Sequence, residues 1–171
     1  LKQDLKDGKI IFGGFLTNKQ QVLNTNYLKS SFVSKANVMG VDFEYALPDP
    51  AWVVSGYTAT STLLGTEKIV SEIQRNSAHY FQRPDDKIAL DTTKTQLDGT
   101  SSELSLTKIS GKNIKGSFTY RQISPGYDIN ELGYIRSANT KQLKSYIEYE
   151  DFVPKKYWQL LSFSFGSWHD K

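Results

Sequence analysis

The sequence feature that most constrains the fold is a strict alternation of apolar and polar side chains over long stretches. In residues 39–45 apolar side chains occupy every odd position, and Gly, Asp and Glu occupy the even ones. Residues 161–166 alternate in the same way. A period of two is that of a β-strand with one apolar and one polar face. Helical spacing is confined to residues 66–75, so the sequence predicts an all-β fold with one short helix in a long loop.

The same pattern predicts about seven long strands, in residues 10–17, 36–46, 52–63, 102–109, 113–123, 141–152 and 156–168. Their connections alternate in length: 18–35, 65–100 and 124–140 are long, whereas 47–51, 110–113 and 153–155 are short. In an antiparallel up-and-down meander, all the long connections then lie at one end of the sheet. Transmembrane β-barrels have this asymmetry. They also need strands of about 9–11 residues, against about 5–6 in soluble proteins, so a partial transmembrane β-barrel is favoured.

In such a barrel the two faces of each strand meet different surroundings, with lipid outside and water inside. The apolar face is predicted to contact lipid through Met39, Val41, Phe43, Phe118, Phe163 and Phe165. The opposite face is predicted to line the lumen through Asp42, Glu44, Lys115 and Arg121. Aromatic residues near strand ends fit the girdles found at membrane interfaces, namely Tyr45, Trp52, Tyr120, Trp158 and Trp168.

Composition argues against several classes of function. The net charge of +3 is too small to indicate nucleic-acid binding. The absence of cysteine excludes a disulfide framework, cysteine-ligated zinc and thiol catalysis. The two histidines, His79 and His169, have no spaced ligand partners, so neither a metal nor another cofactor is expected. No serine lies in a G-x-S-x-G elbow, and the sequence offers no catalytic residue.

Three stretches carry a family resemblance: residues 77–85 (SAHYFQRPD), 96–112 (QLDGTSSELSLTKISGK) and 123–136 (ISPGYDINELGYIR). In this order they resemble the C-terminal barrel of a family of Gram-negative outer-membrane proteins. That barrel is a domain of unknown function, and it usually follows a family-9-like carbohydrate-binding domain. The resemblance implies that residues 1–171 are a fragment of a single outer-membrane β-barrel domain, truncated at both ends. Seven strands would not close a bacterial barrel, which has an even number of at least about eight strands.

The resemblance also implies a location and partners. The location is the cell outer membrane, and the expected partners are membrane lipid, an upstream carbohydrate-binding domain and further barrel strands. The segment is then expected to take part in carbohydrate binding or uptake without itself being catalytic. Candidate ligand contacts are Tyr127, Asp128, Asn130, Tyr134 and Arg83. The two tyrosines could stack on sugar rings, whereas Asp and Asn in such a loop commonly cap turns.

Two other functions fit the same residues. In a soluble carbohydrate-binding β-sandwich, the apolar face would pack as a core. In a carbohydrate-active hydrolase, the acid pairs Asp42/Glu44 or Glu148/Glu150 would place two carboxylates about 6.5–7 Å apart on one strand face. Acidic side chains also line water-filled barrels without any catalysis. The parent protein could still be linked to glycoside hydrolysis through its carbohydrate-binding domain.

Overall fold

The computed structural model describes residues 2–6, 8–49, 51–83, 88–111 and 113–170. Eight antiparallel strands form one sheet whose order follows the chain, so the predicted all-β meander is confirmed. The strands are β1 Lys2–Leu5, β2 Ile10–Gln20, β3 Lys35–Ala46, β4 Trp52–Leu64, β5 Gln96–Lys108, β6 Ile114–Ile123, β7 Thr140–Asp151 and β8 Leu161–Asp170. Two short helices lie between strands, α1 Asn26–Ser31 and α2 Glu67–Arg75. No helix among these described ranges is long and apolar enough to cross a membrane.

The described residues correct the predicted number of elements: they form eight strands and two helices, whereas the sequence predicts about seven strands and one helix. β1 has four residues, too few for alternation to be recognised in the sequence. α1 is also short, and it begins where the Thr25 side chain accepts a hydrogen bond from the Leu28 backbone N–H at 3.2 Å. Local periodicity is therefore a weak guide to strands and helices of only four to six residues.

Two strand ends also differ from the prediction. β5 begins at Gln96, six residues earlier than predicted, because its polar first half pairs with β4 through Leu97 and Leu63. β8 begins at Leu161, five residues later than predicted. The residues before it form a turn closed by a bridge between Lys155 and Trp158.

The connections alternate in length as predicted. Short connections join β1 to β2, β3 to β4, β5 to β6 and β7 to β8, in residues 6–9, 47–51, 109–113 and 152–160. The turn between β5 and β6 contains Gly111 at φ +133°, a conformation that residues with a Cβ rarely adopt. Long connections occupy residues 21–34, 65–95 and 124–139, all at the opposite end of the sheet. The meander therefore has one end of tight turns and one end of long loops.

Strand pairing divides the sheet into two faces, which we call the apolar face and the polar face. The apolar face carries the residues that were predicted to contact lipid: Met39, Val41, Phe43, Phe118, Phe163 and Phe165. The polar face carries those that were predicted to line a lumen: Asp42, Glu44, Lys115 and Arg121. Trp168 also lies on the polar face, and Trp158 lies outside the strands, so neither continues an aromatic row with Tyr45.

The apolar face is not covered by any part of the described chain. Val41, Phe118 and Phe163 keep 58%, 50% and 64% of their surface exposed. The described ranges form one sheet, and no second sheet packs on this face. The packed core that a β-sandwich would need is therefore absent from the described part of the chain. An exposed apolar surface of this extent marks a contact with lipid or with another molecule.

The buried core lies instead on the polar face, at the long-loop end. Apolar side chains of the sheet there meet residues of the long connections, in a cluster of Val33, Ala36, Leu63, Val70, Phe81 and Leu97. A second cluster contains Ala59, Ile123, Tyr127, Ile135 and Ala138. We call residues 65–83, 88–95 and 124–139 the loop layer. These residues fold back over the sheet and do not extend away from it.

Candidate functional site

The loop layer docks on the sheet through two glycines that approach backbone to backbone. A Cβ added to Gly99 of β5 would lie 2.0 Å from the backbone nitrogen of Tyr127. A Cβ added to Gly126 would lie 2.1 Å from the carbonyl oxygen of Asp98. Neither distance is possible for a side chain, so only glycine at both positions allows the loop to lie flat on the strand.

A buried hydrogen-bonded pair joins the two long loops of the loop layer. The Nε2 atom of His79 lies 2.8 Å from a carboxylate oxygen of Asp128, and both side chains are almost fully buried. The Nδ1 atom of His79 lies 2.7 Å from the carbonyl oxygen of Pro125. The backbone N–H of Asp128 donates to the hydroxyl of Ser61 in β4 at 2.9 Å, which ties the pair to the sheet.

The protonation of this pair follows from its partners. A carbonyl can only accept, so Nδ1 of His79 carries a hydrogen. Burial alone raises the pKa of the Asp128 carboxyl, but the hydrogen bonds from His79 and from the Asn130 backbone N–H outweigh that effect. The pKa of Asp128 is therefore held below its ordinary value of 3.8. With Asp128 ionised, its carboxylate and the imidazole of His79 form a buried hydrogen-bonded pair.

This grouping of Ser, His and Asp is not a catalytic triad. The Ser61 hydroxyl contacts the backbone of Asp128, and both ring nitrogens of His79 are occupied by Pro125 and the Asp128 carboxylate. A triad needs the imidazole to take a proton from the serine hydroxyl. The arrangement here holds the loops together. No group of three or more potential metal ligands occurs in the described ranges.

Beside this pair lies a pocket of about 690 Å³ between the polar face of the sheet and the loop layer. Strands β4 to β8 form its floor, and residues 127–137 form one wall. We call it the tyrosine–arginine pocket after its most prominent lining residues, which are Tyr57, Arg121, Tyr127, Tyr134, Arg136 and Trp168. Its aromatic rings and polar groups are the mixture expected of a small-molecule site.

The floor of the tyrosine–arginine pocket carries polar side chains with few partners among the described residues. The Tyr57 hydroxyl lies 3.2 Å from the Ser101 hydroxyl on the neighbouring strand. Burial raises the pKa of the Tyr127 phenol, Tyr57 raises it further, and Arg121 lowers it. The Arg121 Nε atom lies 4.0 Å from a Glu103 carboxylate oxygen, which is too long for a hydrogen bond. The phenol of Tyr127, whose pKa is raised, therefore stays neutral at physiological pH.

The structure brings together only part of the predicted ligand set. Tyr127 and Tyr134 both line the tyrosine–arginine pocket. Asp128 binds His79, and the Asn130 side chain accepts a hydrogen bond from the Ile135 backbone at 3.0 Å. Asp128 and Asn130 thus shape the loop, as the turn-capping alternative predicts.

Arg83 lies apart from the other predicted ligand contacts. It lines a separate depression of about 550 Å³ together with Arg75, Tyr80 and Ser137. The five predicted contacts are therefore divided between two surfaces and a buried pair, and they do not form one site.

The predicted lumen residues share the polar face, but they lie at different levels. Lys115 lies toward the short-turn end and binds Glu150 at 2.9 Å. Asp42 and Glu44 lie on β3, whereas Arg121 lies in the tyrosine–arginine pocket. One member of the acid pair Glu148/Glu150 is thus engaged with a lysine.

Sequence reasoning missed His79, Tyr57, Trp168 and Arg136 as members of this region. The first resembling stretch contains His79 and the third contains Asp128, and these two stretches meet in space across 49 positions of sequence. Trp168 was placed in an aromatic girdle because it lies near a strand end. Only its position in the register assigns it to the polar face.

Comparison with known families matches residues 17–170 to the Domain of unknown function (DUF5916). The match leaves out only the first 16 residues and the last one. Neither the curated proteins nor the solved structures give a match to the chain. The resemblance to a domain family of unknown function is therefore confirmed, and the barrel and the preceding carbohydrate-binding domain stay predictions. On this match, which spans most of its length, the chain belongs to the DUF5916 family.

Proposed function

We propose that the chain is a segment of an outer-membrane β-barrel that takes part in carbohydrate binding or uptake without catalysis of its own. The apolar face meets lipid, and the polar face meets a water-filled interior. The loop layer lies at the long-loop end of that interior. The observation that carries the membrane assignment is the oblique course of the apolar band across the sheet.

The apolar band crosses the hydrogen-bonded rows of the sheet at an angle. The row that starts at Gly13 in β2 runs through the paired residues of β3–β7 and ends at Asp170 in β8. Position 13 is the middle of the apolar stretch of β2, which runs from Ile10 to Leu16. The middle of the apolar stretch of β8 is Phe163, seven residues before Asp170. The band thus moves seven residues along the strands over six strand spacings.

This offset corresponds to a strand tilt of about 40°. Seven residues advance about 23 Å along a strand, and six strand spacings cover about 29 Å across the sheet. Suppose that the apolar band lies parallel to the membrane plane. The ratio of these two distances is then the tangent of the angle between the strands and the membrane normal. Strands of transmembrane barrels are tilted by about 35–45°. The apolar band does not follow any one hydrogen-bonded row of the sheet. Its oblique course is the one expected where tilted strands cross a flat layer of hydrocarbon.

The apolar face becomes polar toward the long-loop end, as expected where strands leave the hydrocarbon. The Asn18 and Asn37 side chains bind each other across β2 and β3. The Thr62 hydroxyl donates to Asp98 at 2.8 Å, and the Gln96 amide donates to the same carboxylate at 2.7 Å. This polar margin supports a boundary between lipid and water at that level.

The solute assignment has a different basis. Carbohydrate is proposed by analogy with the domain that usually precedes the resembling barrel. The resemblance also places further strands and that domain in the parent protein. In the described sheet β1 has four residues, too few to span a membrane, and β1 does not pair with β8, so a closed barrel would need further strands. The tyrosine–arginine pocket supports solute binding on the polar face.

The membrane assignment is tested by a pair of neighbouring substitutions in β8. Phe163 and Ser164 are adjacent, exposed and on opposite faces of the sheet. Phe163→Arg places a charge in the middle of the proposed lipid contact, at a cost of about 2–4 kcal/mol. Ser164→Arg places the same charge in the proposed water-filled interior. The full chain is folded into phosphatidylcholine vesicles, and the inserted fraction is measured by protection from protease.

We expect Phe163→Arg to lower the inserted fraction strongly and Ser164→Arg to leave it close to that of the original chain. Equal insertion of the two variants would contradict the assignment of the apolar face to lipid. A cooperative melt of a monomer in water without detergent would contradict the membrane assignment and would favour the soluble alternative.

A further inference from the structure

The tyrosine–arginine pocket presents two largely exposed aromatic rings, and the Trp168 ring also meets the Lys144 ammonium, 5.5 Å from its centroid. Tyr134 keeps 79% of its surface exposed, and Trp168 keeps 68% exposed. Both line the pocket, Tyr134 from the loop layer and Trp168 from β8. Trp168 lies on the polar face, where its exposed ring is not part of the apolar band. Exposed rings beside hydroxyl and amide groups offer flat surfaces on which the C–H faces of a sugar ring can stack.

The same pocket carries an excess of positive charge. Arg136 has no ion-pair or hydrogen-bond partner in the described part of the chain. Among the described residues, Arg121 has an ionic contact of 4.0 Å with Glu103, and its shielded Nε–H lacks a hydrogen-bond acceptor. The lining contains one carboxylate, that of Asp170, which accepts a hydrogen bond from Gln142 at 3.3 Å. Two guanidinium groups therefore face a lining with a single acid.

We propose that the tyrosine–arginine pocket binds a saccharide that carries a carboxylate, of the uronic acid type. The sugar ring lies against Tyr134 and Trp168, and the carboxylate binds the guanidinium of Arg136 with Arg121 beside it. Guanidinium groups bind carboxylates through paired hydrogen bonds, which gives selectivity over a neutral sugar. The inference rests on the proposed function, because it assumes that the polar face meets water.

The position of the pocket allows a solute to reach it from the long-loop end. Its floor residues Arg121, Gln142 and Asp170 lie in one hydrogen-bonded row. In β8 that row lies seven residues beyond Phe163, the middle of the apolar band, toward the long loops. The pocket is therefore close to the aqueous boundary proposed for the barrel, and a polar solute need not cross hydrocarbon to enter it.

Calorimetric titration of the full chain in detergent micelles tests this proposal with a matched pair of probes. The probes are trigalacturonic acid and its methyl ester, which share ring geometry and differ in charge. We expect the acid to bind at least about tenfold more tightly than the ester, and the difference to shrink as salt is raised. Arg136→Gln should abolish this difference.

Two further variants separate the roles of charge and ring. Tyr134→Ala should weaken the binding of both probes, because it removes a stacking surface and leaves both arginines. Lys156→Gln removes a cation from the turn between β7 and β8, at the other end of the sheet, and should change neither affinity. This control has the same change of charge as Arg136→Gln.

Equal affinities of the original chain for the two probes would overturn the proposal, as would an unchanged preference in Arg136→Gln. Absence of binding by either probe would also overturn it when the same preparation inserts into vesicles. Selective binding by a chain that does not insert would overturn the membrane assignment and leave the pocket assignment standing.

Discussion

His79 and Asp128 bind each other at 2.8 Å inside the loop layer, where the histidine ring is fully buried. The second ring nitrogen donates to the Pro125 carbonyl, and the backbone of Asp128 is fixed to Ser61. This pair connects the loop after β4, the loop after β6 and the sheet itself. The loop layer is thus held on the sheet by one buried hydrogen-bonded pair as well as by its apolar clusters.

Removal of one partner should destabilise the protein strongly. His79→Gln leaves the Asp128 carboxylate buried without its imidazole partner, and removal of one member of a buried pair costs about 3–5 kcal/mol. Unfolding by urea in detergent, followed by tryptophan fluorescence, gives the free energy of unfolding. Glu72→Gln is the control, because it breaks the exposed pair with Lys68 and should cost less than about 0.5 kcal/mol. Similar losses in the two variants would contradict a stabilising role for the buried pair.

The contribution of Asp128 should depend on pH in the acid range. Its pKa is lower in the folded state than its ordinary value of 3.8, so folding favours the carboxylate. The stabilisation is fully present above pH 3.8 and is lost as the pH falls through the folded pKa. The free energy of unfolding is measured from pH 6 to pH 2 for the original chain and for Asp128→Asn. The difference between the two should narrow at low pH, and a constant difference would count against this titration.

A methyl group at Gly99 should displace the loop from the sheet. The added Cβ would meet the backbone of Tyr127 at 2.0 Å, so Gly99→Ala should open residues 124–139. Hydrogen exchange measured by mass spectrometry should show lost protection in that loop while β2 and β3 stay protected. In Gly166→Ala the nearest atom would lie 3.7 Å away, so the same loop should keep its protection. Unchanged exchange in Gly99→Ala would show that the two backbones are not in close contact.

The proposed tilt predicts unequal effects of two substitutions within one hydrogen-bonded row. Phe43 in β3 and His169 in β8 belong to the same row, which passes through Gly56, Leu104 and Tyr120. Phe43 lies within the apolar band, whereas His169 lies beyond it. Phe43→Arg should therefore cost about 2–4 kcal/mol in vesicles, and His169→Arg about 0–1 kcal/mol.

Urea unfolding of the folded protein in vesicles measures both costs. Equal costs would mean that the rows run level with the membrane, and the estimated tilt of about 40° would then be wrong.

The alternation in β3 could be read from the sequence because it is local. Paired residues of neighbouring strands project on the same side of a sheet. Once the pairing is known, one strand with an apolar side therefore shows which side chains of the other strands share its apolar face. Strand β4 has apolar side chains on both faces: Trp52 and Val54 join the apolar face, whereas Tyr57 and Ala59 belong to the polar face and the core beneath the loops. Alternation within one strand does not show that each of its two faces has a different partner.

The loop layer could not be predicted in the same way, because its contacts join distant positions. Glycine is required at positions 99 and 126 because the backbones of two distant segments come into close contact there. Neither position shows this requirement in the sequence. Asp128 could be recognised as a turn former, but its partner His79 lies 49 positions away. Nearness to a strand end predicted an aromatic girdle that includes Trp168, but it did not show that this ring lies on the polar face of the sheet. Long-range pairing decides these features.

The uncovered face that carries Val41, Phe118 and Phe163 also determines how this protein can be handled in the laboratory. In plain buffer these surfaces would associate with one another, and the outermost strands β1 and β8 would offer their edges to neighbouring molecules. Refolding should therefore yield precipitate when urea is diluted away without an amphiphile. A surfactant above its critical micelle concentration should instead keep the refolded protein dispersed.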